Sequence, residues 1–166
     1  MNRKQFVLKS GAILVAPTLL SFSNEGAQEK EKLDAKLVQE FVGKSHSDLD
    51  RVKELLKETP TLLNAAHDWG NGDFETGLGA ASHVGNKELV NYFIEKGAQA
   101  NVFTAALFGE MDIIKAMLQF SPEILHAKGP HGFTLLHHAE RGGEEARAVK
   151  EYLISLGAKE TKIPLY

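Results

Sequence analysis

The amino-acid sequence predicts an all-α domain of about four stacked helix–turn–helix units. The first observation is an internal repeat, since the segment DRVKELLKETPTLLNA, which starts at Asp50, recurs as DIIKAMLQFSPEILHA, which starts at Asp112. The second is apolar residues at helical spacing, and the third is a set of Asp, Asn and Gly residues where helices should begin and end. A repeat of this length indicates units that bury their apolar faces only by stacking on one another.

The repeat continues beyond these two segments. The segments match at a constant offset of 62 residues, and after the next loop the match resumes at an offset of 58. A change in loop length between otherwise matching units is typical of stacked repeats. The positions that match after the loop are Thr76 with Thr134, Leu78 with Leu136, and Gly85 with Gly143.

The individual helices follow from their apolar spacing and from their ends. Asp48 and Asn86 stand where an N-cap is expected, because their side chains accept hydrogen bonds from the first backbone N–H groups of a helix. Gly97 and Gly157 stand where helices should end. Apolar residues at helical spacing predict the first two helices, with Leu33, Leu37, Val38, Phe41 and Val42 in one and Leu49, Val52, Leu55 and Leu56 in the other.

Residues 75–101, ETGLGAASHVGNKELVNYFIEKGAQAN, resemble an ankyrin repeat. The pattern restarts at Ala105 and at Thr134, and its most degenerate copy is the first, so the resemblance covers roughly residues 33–160. It implies an ankyrin-type solenoid whose turns project as fingers along one edge. The matching positions are Thr76, Leu78, Ala81, Gly85, Glu88, Leu89, Val90, Gly97, Ala98 and Asn101.

The ankyrin resemblance also implies roles for single residues. Two variable residues before each repeat glycine line a concave surface in that family, and here they are Ser45 and His46, His83 and Val84, Leu107 and Phe108, and Arg141 and Gly142. Structural roles fall to Thr76, Gly85, Gly97, Gly109, Thr134, His137, Gly143 and Gly157, with His137 tying successive turns together.

Residues 1–23 are predicted to be a signal peptide. Arg3, Lys4 and Lys9 precede an apolar stretch over residues 11–20, which is the order of an export signal. The segment from Arg3 to Lys9 resembles a twin-arginine signal with lysine as its second basic residue, so the twin-arginine and general secretory routes both stay open. We expect cleavage near Ser23 or Ala27, a flexible lead-in over residues 24–32, a repeat domain over 33–160, a tail over 161–166, and a periplasmic or cell-envelope location.

Composition excludes several function classes. The 166-residue chain contains no cysteine, which excludes disulfides, thiol nucleophiles and cysteine-ligated metal ions. Its formal net charge of -3 gives no bulk attraction to nucleic acid or anionic lipid. No apolar run approaches the roughly 18 residues of a spanning helix. We therefore expect no nucleic-acid partner and no integral membrane span in the mature chain.

Two loops hold the candidates for a functional site. The first loop, residues 65–75 (AAHDWGNGDFE), contains the only tryptophan, and the second loop, residues 126–133 (HAKGPHGF), takes the same place in the second half. One interpretation is that aromatic and arginine side chains here anchor a partner. The other is that Trp69 and Phe74 fold back over the longer loop while Asp68 and Asp73 only form turns. The candidate binding residues are His67, Asp68, Trp69, Asp73, Phe74, His83, Phe108, His131, Phe133 and Arg141.

The predicted function is a non-catalytic, exported module that binds a protein or peptide through its loops and concave face. The alternative is a small-molecule binder or an enzyme with a His, Asp and Trp pocket between the 65–75 and 126–133 loops. No His-x-x-x-His or His-Glu-x-x-His spacing is present, so we expect no metal site, no cofactor and no catalytic residue. The residues weighed for a metal site are His67, Asp68, Asp73, Glu75 and His83.

Overall fold

Helices dominate residues 31–166, the part of the chain that the computed structural model describes. Residues Lys32–Tyr166 form one compact unit. The predicted signal peptide, residues 1–23, and most of the lead-in lie outside the described residues. The mostly helical fold that the apolar spacing predicts is confirmed.

Eight α-helices and two short strands follow one another in the described residues. None of these helices has the length and apolar character needed to cross a membrane. The elements are α1 (Ala35–Lys44), α2 (Leu49–Glu58), β1 (Ala66–Asp68), β2 (Phe74–Thr76), α3 (Gly77–Val84), α4 (Lys87–Glu95), α5 (Val102–Leu107), α6 (Met111–Phe120), α7 (Leu135–Gly142) and α8 (Arg147–Ser155), with 3-10 helices at Pro60–Asn64, Pro122–His126, Pro130–Gly132 and Gly143–Ala146.

Side-chain caps define several helix starts. Asp48 and Asn86 each accept a backbone N–H at the start of α2 and α4, as the sequence predicts. Thr76 and Thr134, which match in the repeat, cap α3 and α7 in the same way. Each cap satisfies a backbone donor that the helix itself leaves unpaired. The local sequence therefore determines where these helices begin.

The core forms between helices of neighbouring units. Helix α1 contacts α3, α3 contacts α5 and α5 contacts α7, while α6 packs on α8. One buried cluster lies mainly among α1 to α4, where the rings of Phe41 and Phe93 meet edge to face at 5.9 Å. A second lies among α5 to α8 and includes Ile114, Leu135 and Leu153. Helices that bury their apolar faces against the next unit are what stacked repeats require.

The two segments that match at an offset of 62 residues have the same local structure. Helices α2 and α6 each contain ten residues, and each is followed by a five-residue 3-10 helix that begins with proline. The linking residues have similar backbone angles, with φ and ψ of −135° and 80° at Thr59 and of −146° and 97° at Ser121. The sequence repeat is therefore also a structural repeat.

The first loop differs from the all-helical expectation because it contains both strands. Strands β1 and β2 pair antiparallel, with His67 opposite Glu75. The Asp68 carboxylate accepts the backbone N–H groups of Gly70 and Gly72, and so it forms the turn between the strands. Asp68 thus has the contacts that the turn-forming interpretation predicts for it.

The C-terminal tail, residues 161–166, packs on the second loop. The backbone N–H of Thr134 donates to the carbonyl of Thr161 at 3.1 Å, and that of Ile163 donates to the carbonyl of Gly132 at 2.9 Å. The tail thereby pairs with the end of the second loop and fixes its path into α7.

Replacing Gly85 with valine should destabilise the fold by about 1–3 kcal/mol. Gly85 follows α3 with a φ of +80°, which β-branched residues rarely adopt, and a Cβ there would lie 3.2 Å from the carbonyl oxygen of Arg141. Urea denaturation measures this loss of folding stability. Gly43→Val is the matched control, because a Cβ at Gly43 meets no atom within 4 Å. Equal losses in the two variants would contradict the prediction.

Candidate metal centre

Four side chains from four separate segments meet in one cluster. His46 follows α1, Glu75 lies in β2, His83 lies in α3 and His131 lies in the second loop. Each offers one possible ligand atom, and these four atoms all lie within 4.8 Å of one another. We call this group the His–Glu cluster.

The Glu75 carboxylate is central to the His–Glu cluster, and its side chain is fully buried. Its Oε2 accepts a hydrogen bond of 2.8 Å from the indole N–H of Trp69, whereas its Oε1 has no hydrogen-bond partner. Burial alone would raise the pKa of Glu75, but the adjacent His83 and the Trp69 hydrogen bond hold this pKa below its usual value. Glu75 is therefore a buried carboxylate that stays ionised, and the contact that its Oε1 makes with His83 is not a well-formed hydrogen bond.

Three imidazole Nε2 atoms surround this carboxylate. The Nε2 of His83 lies 2.9 Å from Oε1, a contact without hydrogen-bond geometry. The Nε2 atoms of His131 and His46 lie 3.4 Å and 3.7 Å from Oε2, and those of His46 and His83 lie 3.1 Å apart. Four tetrahedral donors about 2.1 Å from one zinc ion are about 3.4 Å from one another. These distances involve both oxygens of Glu75, and one ligand atom from each of the four residues lies within 4.8 Å of the others, which is near enough for one ion to draw them together.

Hydrogen bonds outside the His–Glu cluster fix which ring nitrogen faces inward. The Nδ1–H of His46 donates to the Gly43 carbonyl at 3.0 Å, and the Nδ1–H of His131 donates to the Asp73 carboxylate at 2.7 Å. Both oxygens can only accept, so each neutral ring has its single proton on Nδ1 and a lone pair on the inward-facing Nε2. Metal-ligating histidines are held in this way, with the second nitrogen donating to a carbonyl or carboxylate.

Asp73 joins the first loop to the second through His131. One carboxylate oxygen accepts the ring Nδ1–H of His131, and the other accepts its backbone N–H at 2.8 Å. Burial alone would raise the pKa of Asp73, but these bonds and the charge of Lys162 hold it below its usual value. His131 has a φ of +58°, which is uncommon for a residue other than glycine. Asp73 therefore stabilises the second loop in a conformation that aims His131 at Glu75.

His137 and Phe133 support the ring and backbone of His83. The Nε2–H of His137 donates to the His83 carbonyl at 2.8 Å, which links α7 to the end of α3. The Phe133 ring stacks on both histidines, with centroids 4.1 Å from His137 and 5.0 Å from His83. Burial lowers the pKa of His137, so this ring is neutral at pH 7.

Acidification should destabilise the protein through His138. Its ring is buried and its Nδ1–H donates to the Thr134 carbonyl at 2.7 Å. Burial lowers the pKa of His138 to about 4 from the ordinary value of 6.5. The unfolded chain therefore binds a proton at this residue before the folded chain does. Between pH 7.5 and pH 5 this difference should remove about 2 kcal/mol of folding stability.

Urea denaturation at the two pH values tests this effect by comparing the parent chain with His138→Gln. Between the two pH values the variant should lose about 2 kcal/mol less folding stability than the parent, because glutamine does not titrate. His126→Gln is the control, since His126 is exposed and should keep the parent's pH dependence. A His138→Gln variant with the full dependence of the parent would exclude His138 as the cause.

Several of the predicted binding residues do come together. The contacts at the His–Glu cluster involve Trp69, Asp73, His83, His131 and Phe133, and the His67 ring meets the Trp69 ring at 4.5 Å.

The other predicted residues lie apart from this cluster. Asp68 forms the turn of the first loop, and Phe74 is exposed on the opposite face of β2 from Glu75. The Phe108 ring lies beneath Lys87, with Nζ 5.6 Å from its centroid, and Arg141 is exposed beside Gly85.

Sequence reasoning weighed Glu75 for a metal site and expected none, and it assigned His46 only to the concave surface. The metal spacings it sought place two ligands within one helix, whereas the four side chains here come from four segments. A signal for His46 was nevertheless present. Both His46 and His83 occupy variable positions that the ankyrin resemblance assigns to one concave surface.

No protein-family model matches this chain, and no curated protein matches it either. Function is therefore inferred from the chemistry of residues 31–166.

Proposed function

We propose that this protein binds one divalent transition-metal ion through the His–Glu cluster. The observation that supports this function is the buried, ionised carboxylate of Glu75, whose Oε1 has no hydrogen bond and around which three imidazole Nε2 atoms converge. The ligands would be His46, Glu75, His83 and His131.

The balance of protons and lone pairs in the His–Glu cluster favours a cation. In their neutral forms His46 and His131 aim unprotonated Nε2 atoms at a carboxylate that is itself only an acceptor. The neutral His83 ring supplies at most one N–H to this space. The Nε2 atoms of His46 and His83 share a hydrogen bond of 3.1 Å, so the buried atom without a partner is Oε1 of Glu75. Such an atom costs about 1–3 kcal/mol, and a bound cation would satisfy it.

The donor set indicates the class of metal. Imidazole nitrogen suits Zn²⁺, Cu²⁺, Fe²⁺ and Ni²⁺, whereas Mg²⁺ and Ca²⁺ prefer shells made of oxygen atoms. The hydrogen bonds from ring Nδ1 atoms to Gly43 and Asp73 also increase the basicity of the two ligating rings. We therefore assign the site to a borderline transition metal and use Zn²⁺ as its test ion.

We also propose that residues 33–160 adopt an ankyrin-type solenoid. The row of contacts from α1 through α3 and α5 to α7, the matching caps Thr76 and Thr134, and the hairpin in the first loop support this assignment. Recognition of a protein or peptide partner through the loops remains a separate proposal. Phe74 in the first loop supports it, because 62% of this residue's surface is exposed.

Calorimetric titration of the full chain with Zn²⁺ at pH 7.5 tests the proposed metal site. We expect one ion per chain, and we expect His131→Ala to weaken binding about a hundredfold, or about 2.7 kcal/mol, because it removes a ligand. His126→Ala is the matched control, since His126 lies in the same loop, is exposed and is not part of the cluster. Absence of Zn²⁺ binding by the parent, or equal weakening by both variants, would overturn the proposal.

A further inference from the structure

We propose that the metal in the His–Glu cluster keeps one coordination position open toward solvent, and that this position takes a small anionic ligand. This inference rests on the proposed metal site and goes beyond it. Structural zinc sites fill all positions with protein atoms, whereas reactive sites leave one for water or substrate. The exposure and charge of the cluster favour the second type.

The burial of the ligands is uneven around the cluster. The side chains of Glu75 and His83 are 0% and 9% exposed, whereas those of His46 and His131 are each 27% exposed. The inner side of a bound ion would therefore face the protein, and its outer side, between His46 and His131, would face solvent.

Trp69 limits the number of oxygens that Glu75 supplies. Its indole N–H donates to Oε2 at 2.8 Å, which leaves Oε1 as the carboxylate oxygen without a hydrogen bond. A carboxylate held in this way gives the ion one oxygen rather than two. The protein then supplies four donors, which complete a four-coordinate shell, so the anion would bind as a fifth ligand to an ion that expands its coordination. Trp69 is in this respect a positioning residue.

The charge of the loaded site selects an anion. A divalent ion with one carboxylate and three neutral imidazoles has a net charge of about +1 in its first shell. The ionised carboxylate of Asp73 adds a negative charge nearby, and Lys162, with Nζ 4.8 Å from the Phe133 ring centroid, adds a positive charge that offsets it. The exposed ring of Trp69 lies beside this face, with its centroid 6.2 Å from that of His131. A small carboxylate or an anion of similar size fits these conditions.

The test uses the full chain loaded with Co²⁺, whose visible absorption reports its ligands directly. Titration with azide, and separately with acetate, should change the spectrum saturably at one anion per Co²⁺. In Trp69→Phe the freed Oε2 should also bind the ion and compete for the open position. The azide Kd should then rise at least tenfold while the Co²⁺ Kd changes less than threefold. Phe74→Leu is the matched control, because its side chain lies on the opposite face of β2, and it should leave both constants unchanged.

The outcomes separate this inference from the proposed function. Absence of Co²⁺ binding by the parent would overturn the metal site itself. A bound Co²⁺ whose spectrum is insensitive to azide and to acetate would leave the metal site standing and overturn the open position. Equal azide affinity in the parent and in Trp69→Phe would overturn the role assigned to Trp69. The melting temperature of each metal-free variant shows that it is folded.

Discussion

Zinc should raise the free energy of unfolding of the full chain by about 4 kcal/mol when free Zn²⁺ exceeds its Kd a thousandfold. The ligands lie in the turn after α1, in β2, in α3 and in the second loop, so they converge only in the folded chain. An ion that binds the folded state and not the unfolded state stabilises by mass action. For a domain of this size the melting temperature should rise by at least about 8 °C.

Differential scanning calorimetry with and without Zn²⁺ measures this shift. A chelator should reverse it, and Mg²⁺ at the same concentration should not produce it, because magnesium disfavours imidazole ligands. His131→Ala should lose most of the shift, whereas His126→Ala should keep it. A shift of equal size in both variants would mean that Zn²⁺ acts elsewhere on the protein, and no shift in the parent would contradict the metal site.

The local features of the fold were predictable because short-range chemistry determines them. Asp48 and Asn86 cap their helices with atoms that lie three residues from the backbone groups they bind. Thr76 and Thr134 do the same at equivalent places in the two halves. The equal lengths of α2 and α6 also follow from residues that match one by one. Such features need no knowledge of how the units pack.

The strands of the first loop were not predictable on the same basis. Strands β1 and β2 have three residues each, too few to show an alternating pattern. Their pairing depends on the turn around the Asp68 carboxylate and on the burial of Glu75 beneath the second loop. Asp68, which forms the turn, therefore also helps to position the buried carboxylate of Glu75.

The site was predictable only in parts. Asp73 and His131 were each candidates in their own loops, but their contact joins residues that are 58 positions apart. His46 and His83 likewise meet across 37 positions. A search for two ligands on one helix cannot detect a shell in which each segment provides a single atom. Stacking of the units creates this shell, and stacking is a property of the tertiary structure.

Glu75→Gln should weaken Zn²⁺ binding about a thousandfold, which corresponds to about 4.1 kcal/mol. Glutamine has nearly the same shape, and its amide oxygen can still accept the Trp69 N–H that lies 2.8 Å from Oε2. The substitution removes the negative charge and the oxygen without a hydrogen bond, which together attract the ion. It also places an amide N–H₂ group where the lone pairs of His46 and His131 converge.

The metal-free Glu75→Gln chain should therefore fold with a stability within about 1 kcal/mol of the parent, because a neutral donor replaces a buried charge among acceptors. Urea denaturation in the presence of a chelator measures this stability, and calorimetric titration measures the affinity for Zn²⁺. Glu58→Gln is the matched control, since Glu58 is exposed at the end of α2 and should leave both quantities unchanged. A Glu75→Gln variant that binds Zn²⁺ as tightly as the parent would show that this carboxylate is not a ligand. A variant that loses both folding and binding would show instead that the buried charge of Glu75 holds the loops in place without a metal.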